Sequence, residues 1–125
     1  MTENEITEKI LTCAFRVHTT LGPGLLENAY EACLEHELHK SILPLTRQQA
    51  LPLVYETVKL ETGYRLDLFV AEKVIVEIKA VEELNQLHMA QLLTYLRLTG
   101  CKVGLLLNFN TVSLKQGIKR LVNNY

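Results

Sequence analysis

Residues 64–80 read YRLDLFVAEKVIVEIKA, and this stretch decides how the chain is expected to fold. Two apolar runs flank the segment 71–73 (AEK), a pattern typical of two antiparallel strands joined by a tight turn. If the turn takes these three residues, Asp67 faces Glu77. Directly opposed residues of an antiparallel pair have Cβ atoms roughly 4.5–5.5 Å apart, so the hairpin is expected to bring two carboxylates together.

Lys79 adds an ammonium group to the same strand. Glu77 and Lys79 lie two residues apart, so they share one face of the sheet. Two carboxylates this close repel each other unless a proton or a cation lies between them. An oxygen-only pair suits magnesium or manganese. The alternative is a solvated strand face or a structural ion pair. The register matters here, because a two-residue turn would move Asp67 to the other face.

The size and composition of the chain limit the classes of protein to which it can belong. Its 125 residues predict a single domain over 1–125, with ordinary hydrophobic and charged content. The formal net charge is -1, which removes the argument for nucleic-acid binding that a strongly basic domain would give. The cysteines Cys13, Cys33 and Cys101 are scattered, so neither a metal site nor a disulfide framework is expected. We expect a cytoplasmic protein without a signal peptide or membrane span.

Three segments carry apolar residues at the spacing of an amphipathic helix. They are residues 3–20, 25–40 and 82–99. Glu27 lies in the first turn of the second helix, where acidic residues complement the helix dipole, but at the edge of the apolar face. His18 lies beside the apolar stripe of the first helix. The third helix has a polar trio within its apolar side, His88, Gln91 and Tyr95, in which neighbours are three or four residues apart.

Strands are expected around the hairpin. Alternation predicts a strand from Arg47 to Tyr55, and residues 58–61 extend the sheet up to a turn at Thr62-Gly63. The apolar run 102–108 predicts a strand buried on both faces, and the helix before it permits a parallel crossover. Residues 110–125 stay open between a strand and a short helix. The expected fold class is α/β, a mixed β-sheet flanked by helices.

Several of these residues resemble known motifs. Asp67 followed by Glu77-Ile78-Lys79 on the next strand resembles the PD-(D/E)XK nuclease signature, with Leu66 in place of its first proline. Residues 91–95 (QLLTY) are similar to the QxxxY element of the recombination-exonuclease branch. Residues 24–30 (GLLENAY) match the pattern that names the GxxExxY family, and the likeness extends over nearly the whole chain. The resemblance implies a restriction-endonuclease-like core of order α-α-β-β-β-α-β.

The resemblance also implies site roles. Asp67 and Glu77 would hold Mg²⁺ or Mn²⁺, with the backbone carbonyl of Ile78 as third ligand and Glu27 ligating directly or through water. Lys79 would orient the attacking water or help to deprotonate it. Gln91 would hydrogen-bond that water or a phosphate oxygen. Contacts to the substrate or to the ligands are assigned to Tyr95, Tyr30, His18 and His88.

The expected function is metal-dependent hydrolysis of phosphodiester bonds in nucleic acid, DNA in preference to RNA. Arg47, Arg65 and Lys102 would meet the phosphate backbone from the outer faces. The alternative is a non-catalytic module that binds nucleic acid or protein on a nuclease fold, since fold does not fix function. A homo-oligomer or a protein partner that completes a nucleic-acid groove also stays open.

Overall fold

The structure is a computed structural model that describes residues 1–61 and 63–124. Its helices are α1 (Glu3–Leu21), α2 (Glu27–Lys40) and α3 (Gln86–Thr99), with a short 3-10 helix at Leu114–Gly117. Its strands are β1 (Leu45–Ala50), β2 (Leu53–Tyr55), β3 (Val58–Leu60), β4 (Arg65–Val70), β5 (Val74–Lys79), β6 (Val103–Asn108) and β7 (Ile118–Val122). Within these ranges no helix combines the length and the apolar character that crossing a membrane requires.

Five strands form one mixed sheet in the order β1-β4-β5-β6-β7. β5 and β6 run parallel, as the crossover through α3 predicts, and the other neighbours in the sheet are antiparallel. Every residue of β6 is buried, which confirms the predicted strand buried on both faces. The predicted α/β class with a mixed sheet is therefore confirmed.

Helices cover both faces of this sheet. One apolar cluster joins α1 and α2 to Val74, Val76 and Ile78. A second cluster joins α3 to Ile75. Since side chains alternate along a strand, β5 directs Glu77 to the same face as Ile75. A glutamate in the middle strand is thus enclosed between the sheet and α3, where it is 5% exposed.

The central hairpin has the predicted register. Val70 pairs with Val74 and Leu68 with Val76, across a three-residue connection. Ala71 and Glu72 both adopt positive φ, 53° and 55°, and the N–H of Lys73 donates to the carbonyl of Val70. Positive φ at two consecutive residues, together with this bond, reverses the chain within three residues.

Helix α3 starts later than its apolar pattern predicts, at Gln86 rather than residue 82. The side chain of Asn85 accepts a hydrogen bond from the N–H of His88, whose ring accepts from the N–H of Asn85. This reciprocal cap satisfies two helix-end donors. The charged residues before Asn85 are therefore loop.

The strand predicted over residues 47–55 is divided in two. β1 ends at Ala50, and the N–H of Leu51 donates to the carbonyl of Tyr64. β2 and β3 then form a two-stranded hairpin outside the main sheet rather than an extension of it. The turn predicted at Thr62-Gly63 lies in part outside the described residues. The tail forms the 3-10 helix and then β7, so the order α-α-β-β-β-α-β gains the β2–β3 hairpin and β7.

Candidate active site

The sheet is interrupted at one row, which consists of Gln48, Asp67 and Glu77. The pairing of β1 with β4 skips Gln48 and Asp67, and the pairing of β4 with β5 stops before Asp67 and Glu77. Carboxylates replace the missing ladder bonds. The N–H of Asp67 donates to Oε2 of Glu77 (2.9 Å), and the N–H of Ile78 donates to Oδ2 of Asp67 (2.8 Å). The two acids therefore lie in the gap between the strands.

Burial sets the electrostatics of this pair. Removal from water, and after it the charge of Asp67, raises the pKa of Glu77 from its ordinary 4.5 to about 8. Removal from water also raises the pKa of Asp67, to about 6, against the hydrogen bond from Ile78, which lowers it. Near neutral pH the two groups do not both ionise freely, so the gap favours a bound proton or cation.

Lys79 follows Glu77 by two residues in β5, so both side chains lie on the same face of the sheet. Its positive charge lowers the pKa of both Asp67 and Glu77, although burial outweighs it. Within the described residues its ammonium group forms no ion pair. This ammonium is consequently free to meet a ligand beside the two acids.

Tyr95 of α3 packs in the same apolar cluster as Leu66 and Ile75, which are close along the strands to Asp67 and Glu77. Burial raises the pKa of the Tyr95 hydroxyl, and the charges of Glu77 and Asp67 raise it further. Gln91 lies one helical turn before Tyr95. Both residues face a cavity of about 210 Å³. Its lining consists of Leu53, Tyr64, Gln91, Thr94, Tyr95 and Leu98. The cavity lies between α3 and the β2–β3 hairpin, and Tyr95 is the lining residue that also packs in the cluster beside the acids.

Residues 24–30 form the end of the loop before α2 and the first turn of that helix. Gly24 has a φ of 103°, a conformation that glycine adopts without strain. The hydroxyl of Tyr30 donates to the carbonyl of Gly22 (2.6 Å) and accepts from the N–H of Leu25 (3.0 Å). Tyr30 is fully buried and stacks on Phe109. It thus holds the loop that precedes α2 instead of facing the carboxylates.

Glu27 reaches the far end of the same strand. Its Oε2 accepts a hydrogen bond from the N–H of Ala80 (3.3 Å), the residue after Lys79. The side chain is exposed and stands near the candidate site without a hydrogen bond to Asp67 or Glu77. Its role as a metal ligand stays a prediction.

The two histidines have contacts that explain them as parts of the fold. His18 is buried, and its Nε2 lies 2.8 Å from the carbonyl of Thr111, a contact that fastens the loop after β6 to α1. His88 completes the cap of α3 with Asn85. Neither hydrogen bond involves the acids.

The sequence interpretation missed Glu31 and misplaced Arg47. Arg47 does not project from an outer face: Nε donates to the buried carboxylate of Glu31 (2.6 Å), and the guanidinium also reaches Glu35 (3.4 Å). Glu31 follows Glu27 by four residues, one helical turn. That spacing is the signal that would have placed it on the face of α2 that carries Glu27.

The comparisons with known proteins agree with this geometry. A family model described as the PD-(D/E)XK nuclease superfamily matches residues 4–121. No curated protein and no solved structure gives a significant match. The matched range includes the row of Asp67 and Glu77, as well as Lys79, and covers nearly the full length. The chain belongs to the PD-(D/E)XK nuclease superfamily.

Proposed function

We propose that this protein is a metal-dependent nuclease that hydrolyses phosphodiester bonds of nucleic acid, within the GxxExxY family. The observation that carries the proposal is the opened row of the sheet, in which Asp67 and Glu77 are buried opposite each other beside a free ammonium group. A strand ladder has no structural need for two acids at that place. The raised pKa values of these two carboxyl groups are typical of a functional site, and a bound cation would relieve the repulsion between them.

The donor set fits Mg²⁺ or Mn²⁺. Asp67 and Glu77 supply carboxylate oxygens, and Oε1 of Glu77 accepts no hydrogen bond from the described residues. The N–H of Ile78 points toward β4, and in a strand the carbonyl of the same residue points the same way. Because β4 pairs no further there, that carbonyl faces the gap. Among residues 1–61 and 63–124 no group of three His, Cys, Asp or Glu side chains is placed to hold a metal ion, so an ion bound here would have to take its remaining ligands from water.

The chain's own groups account for the remaining chemistry. A bound divalent cation supplies a Lewis acid and a bound water of lowered pKa. Lys79 holds a positive charge beside that position, where it orients the attacking water and offsets the negative charge that develops on the phosphate. Gln91 offers an amide to the water or to a phosphate oxygen.

The cavity between α3 and the β2–β3 hairpin is the proposed position of the nucleotide next to the scissile phosphate. Tyr95 lies both at this cavity and near the acids, so a nucleotide bound there brings its phosphate toward Lys79. The similarity of residues 91–95 to the QxxxY element supports DNA rather than RNA as substrate.

A nuclease assay tests the proposal. We expect purified protein with Mg²⁺ or Mn²⁺ to cleave at least one of single- or double-stranded DNA or RNA, and Lys79→Ala to reduce the rate about 10²-fold or more, because it removes a charge acting in the transition state. The matched control is Lys115→Ala, which removes an exposed lysine from the 3-10 helix. Absence of any cleavage that depends on Lys79 across these substrates contradicts the proposal.

A non-catalytic binding module on the same fold is the alternative function. The net charge of -1 favours it, because little basic surface is available to hold DNA without a partner. Isothermal titration of Mg²⁺ and Mn²⁺ separates the two functions. A nuclease site binds the ion, and the variant Asp67→Asn with Glu77→Gln loses that binding, whereas a pure scaffold has no need of an ion.

A further inference from the structure

Gln48 holds an unusual place in β1, directly beside the candidate catalytic acids. It is the residue of β1 that falls out of the pairing with β4, between the pairs Arg47↔Leu68 and Gln49↔Leu66. Its φ is 55°, a left-handed conformation that costs free energy for a residue other than glycine. The strand therefore gives up both a pairing position and its regular geometry at this residue.

The side chain of Gln48 shows what this geometry achieves. Its amide nitrogen donates to both carboxylate oxygens of Glu31 (2.9 and 3.1 Å) and to Oδ1 of Asp67 (3.2 Å). Oδ2 of Asp67 meanwhile accepts from the N–H of Ile78. Both oxygens of Asp67 are thus held, one by Gln48 and the other by β5, which fixes the plane of the carboxylate.

The surroundings of Gln48 are built to hold it there. Glu31 is 4% exposed, and its charge is balanced by Arg47 at 2.6 Å. The carbonyl of Gln48 accepts a hydrogen bond from the guanidinium of Arg65 (2.9 Å). The residue is therefore fixed at its backbone and at its side chain by groups from α2 and β4.

We infer that Gln48 is a positioning residue for Asp67, with Glu31 and Arg47 as its anchor on α2. Its neutral amide is the suitable group for this place, because it lies between two carboxylates and a third acid would repel both. The advantage of holding Asp67 in this way rests on the proposed function: a carboxylate with a fixed plane binds a metal ion at a lower free-energy cost. The hydrogen bonds themselves do not depend on that function.

Two substitutions at Gln48 test the inference without sacrificing the fold. Gln48→Gly removes the amide, and relief of the left-handed backbone offsets part of the cost of the lost hydrogen bonds, so the variant is expected to fold. Gln48→Asn keeps an amide and tolerates the left-handed region, but its side chain is one methylene too short to span Glu31 and Asp67. The matched control is Gln49→Gly, because Gln49 is the next residue of the strand and its side chain contacts Thr46 instead.

Two readouts separate positioning from general structural support. In spectra of the metal-free protein, both Gln48 variants should shift the amide proton of Ile78 upfield, because the bond to Asp67 loosens, while Gln49→Gly leaves it in place. In titrations, both should weaken Mn²⁺ binding about 10-fold, in the range expected for groups that orient metal ligands.

The outcomes are distinct. A wild-type Ile78 amide and wild-type Mn²⁺ affinity in folded Gln48→Gly overturn the inference, and so does a uniform loss of stability in both variants without a selective change at Ile78. If the wild type binds no Mn²⁺, the proposed metal site fails instead. The Ile78 amide alone then decides whether Gln48 positions Asp67.

Discussion

Glu77 carries the largest electrostatic cost among the residues of the candidate site. It is buried in the middle strand, its Oε2 accepts a hydrogen bond from Asp67, and it faces the carboxylate of that residue. A buried carboxyl group without a cationic partner avoids this cost by binding a proton. The free energy of folding must then depend on pH in a direction that the raised pKa fixes.

Replacement of Glu77 by glutamine should remove this dependence. A raised folded pKa means that the stability from the protonated group is fully present below the unfolded pKa of 4.5 and is lost as pH rises through about 8. In metal-free buffer we therefore expect Glu77→Gln to have little effect near pH 5 and to stabilise the protein at pH 9 by about 1–3 kcal/mol. Urea unfolding across this pH range measures it.

The control for this prediction is Glu83→Gln, which neutralises an exposed carboxyl group in the loop before α3. It should not reproduce the gain at pH 9. A parallel pH dependence in Glu77→Gln and in the wild type would show that Glu77 ionises as readily in the folded protein as in the unfolded chain.

Tyr30 gives a second prediction at this scale. Tyr30→Phe leaves the stack on Phe109 but removes the hydroxyl that bonds Gly22 and Leu25. We expect a loss of about 1–3 kcal/mol in the free energy of unfolding, because a carbonyl and an N–H lose their partner. Tyr95→Phe is the comparison, since its hydroxyl makes no hydrogen bond to the described residues. Loss of cleavage in Tyr30→Phe at unchanged stability would instead support the substrate role that the sequence predicted.

At the scale of elements, the packing of the 3-10 helix on the end of β6 depends on Gly117. A Cβ atom at this position would overlap the backbone carbonyl oxygen of Asn108, which cannot move away without disturbing the strand. At Gly104 a Cβ atom would meet only the side chain of Leu92, at 2.9 Å. The two glycines are therefore a matched pair, one against backbone and one against a side chain.

Gly117→Ala should accordingly destabilise the protein more than Gly104→Ala. We expect about 3 kcal/mol or more for Gly117→Ala and about 1–2 kcal/mol for Gly104→Ala, because an overpacked side chain can change rotamer while backbone cannot. Thermal or urea unfolding of the two variants gives the order. An equal loss in both would mean that the 3-10 helix shifts away from Asn108 at little cost.

The elements that the sequence predicted well are those whose pattern is local. Alternation around residues 71–73 determined the hairpin and its register, and the unbroken apolar run of β6 indicated a strand covered on both faces. The start of α3 was missed because the cap depends on the side chain of Asn85 and not on apolar spacing. The β2–β3 hairpin was missed because the exit of the chain at Leu51 depends on a bond to Tyr64, thirteen residues later.

The residues of the candidate site also fall into two groups, those that a local sequence pattern indicates and those that only the tertiary fold brings together. The approach of Asp67 to Glu77 was predicted because strand alternation and a motif both indicate it, and the roles of these residues and of Lys79 stay a prediction. Gln48 could not be found, since a glutamine in an alternating strand is typical of a solvated position and nothing in the sequence marks its left-handed backbone. Arg47 was misplaced for the corresponding reason: its partners on α2 are brought to it only by the tertiary fold.

At the scale of the whole molecule, the site lies where three layers meet. Helix α2 contacts the row of Gln48, Asp67 and Glu77 through Glu31. Helix α3 approaches it through Tyr95, whose pKa the two acids raise. Movement of either helix against the sheet changes the environment of both carboxyl groups. Binding at the row should therefore be linked to the stability of the entire fold.

A cation that binds the folded protein and not the unfolded chain must raise the free energy of unfolding. At 100 times its Kd the expected gain is about 2.7 kcal/mol, which corresponds to roughly 8–13 °C in Tm for a protein of this size. We expect this shift with Mn²⁺ for the wild type at pH 8, where the cation replaces the proton that Glu77 otherwise retains. Differential scanning calorimetry at several Mn²⁺ concentrations measures it.

The variant Asp67→Asn with Glu77→Gln is the control, because it keeps the shape of both side chains without their charges. It should show a higher Tm than the wild type in metal-free buffer at pH 8, since the buried acids are gone, and no further rise with Mn²⁺. An equal rise in both proteins would place the ion elsewhere on the surface. The two curves should cross as the Mn²⁺ concentration increases, because the same pair of acids destabilises the empty fold and stabilises the loaded one.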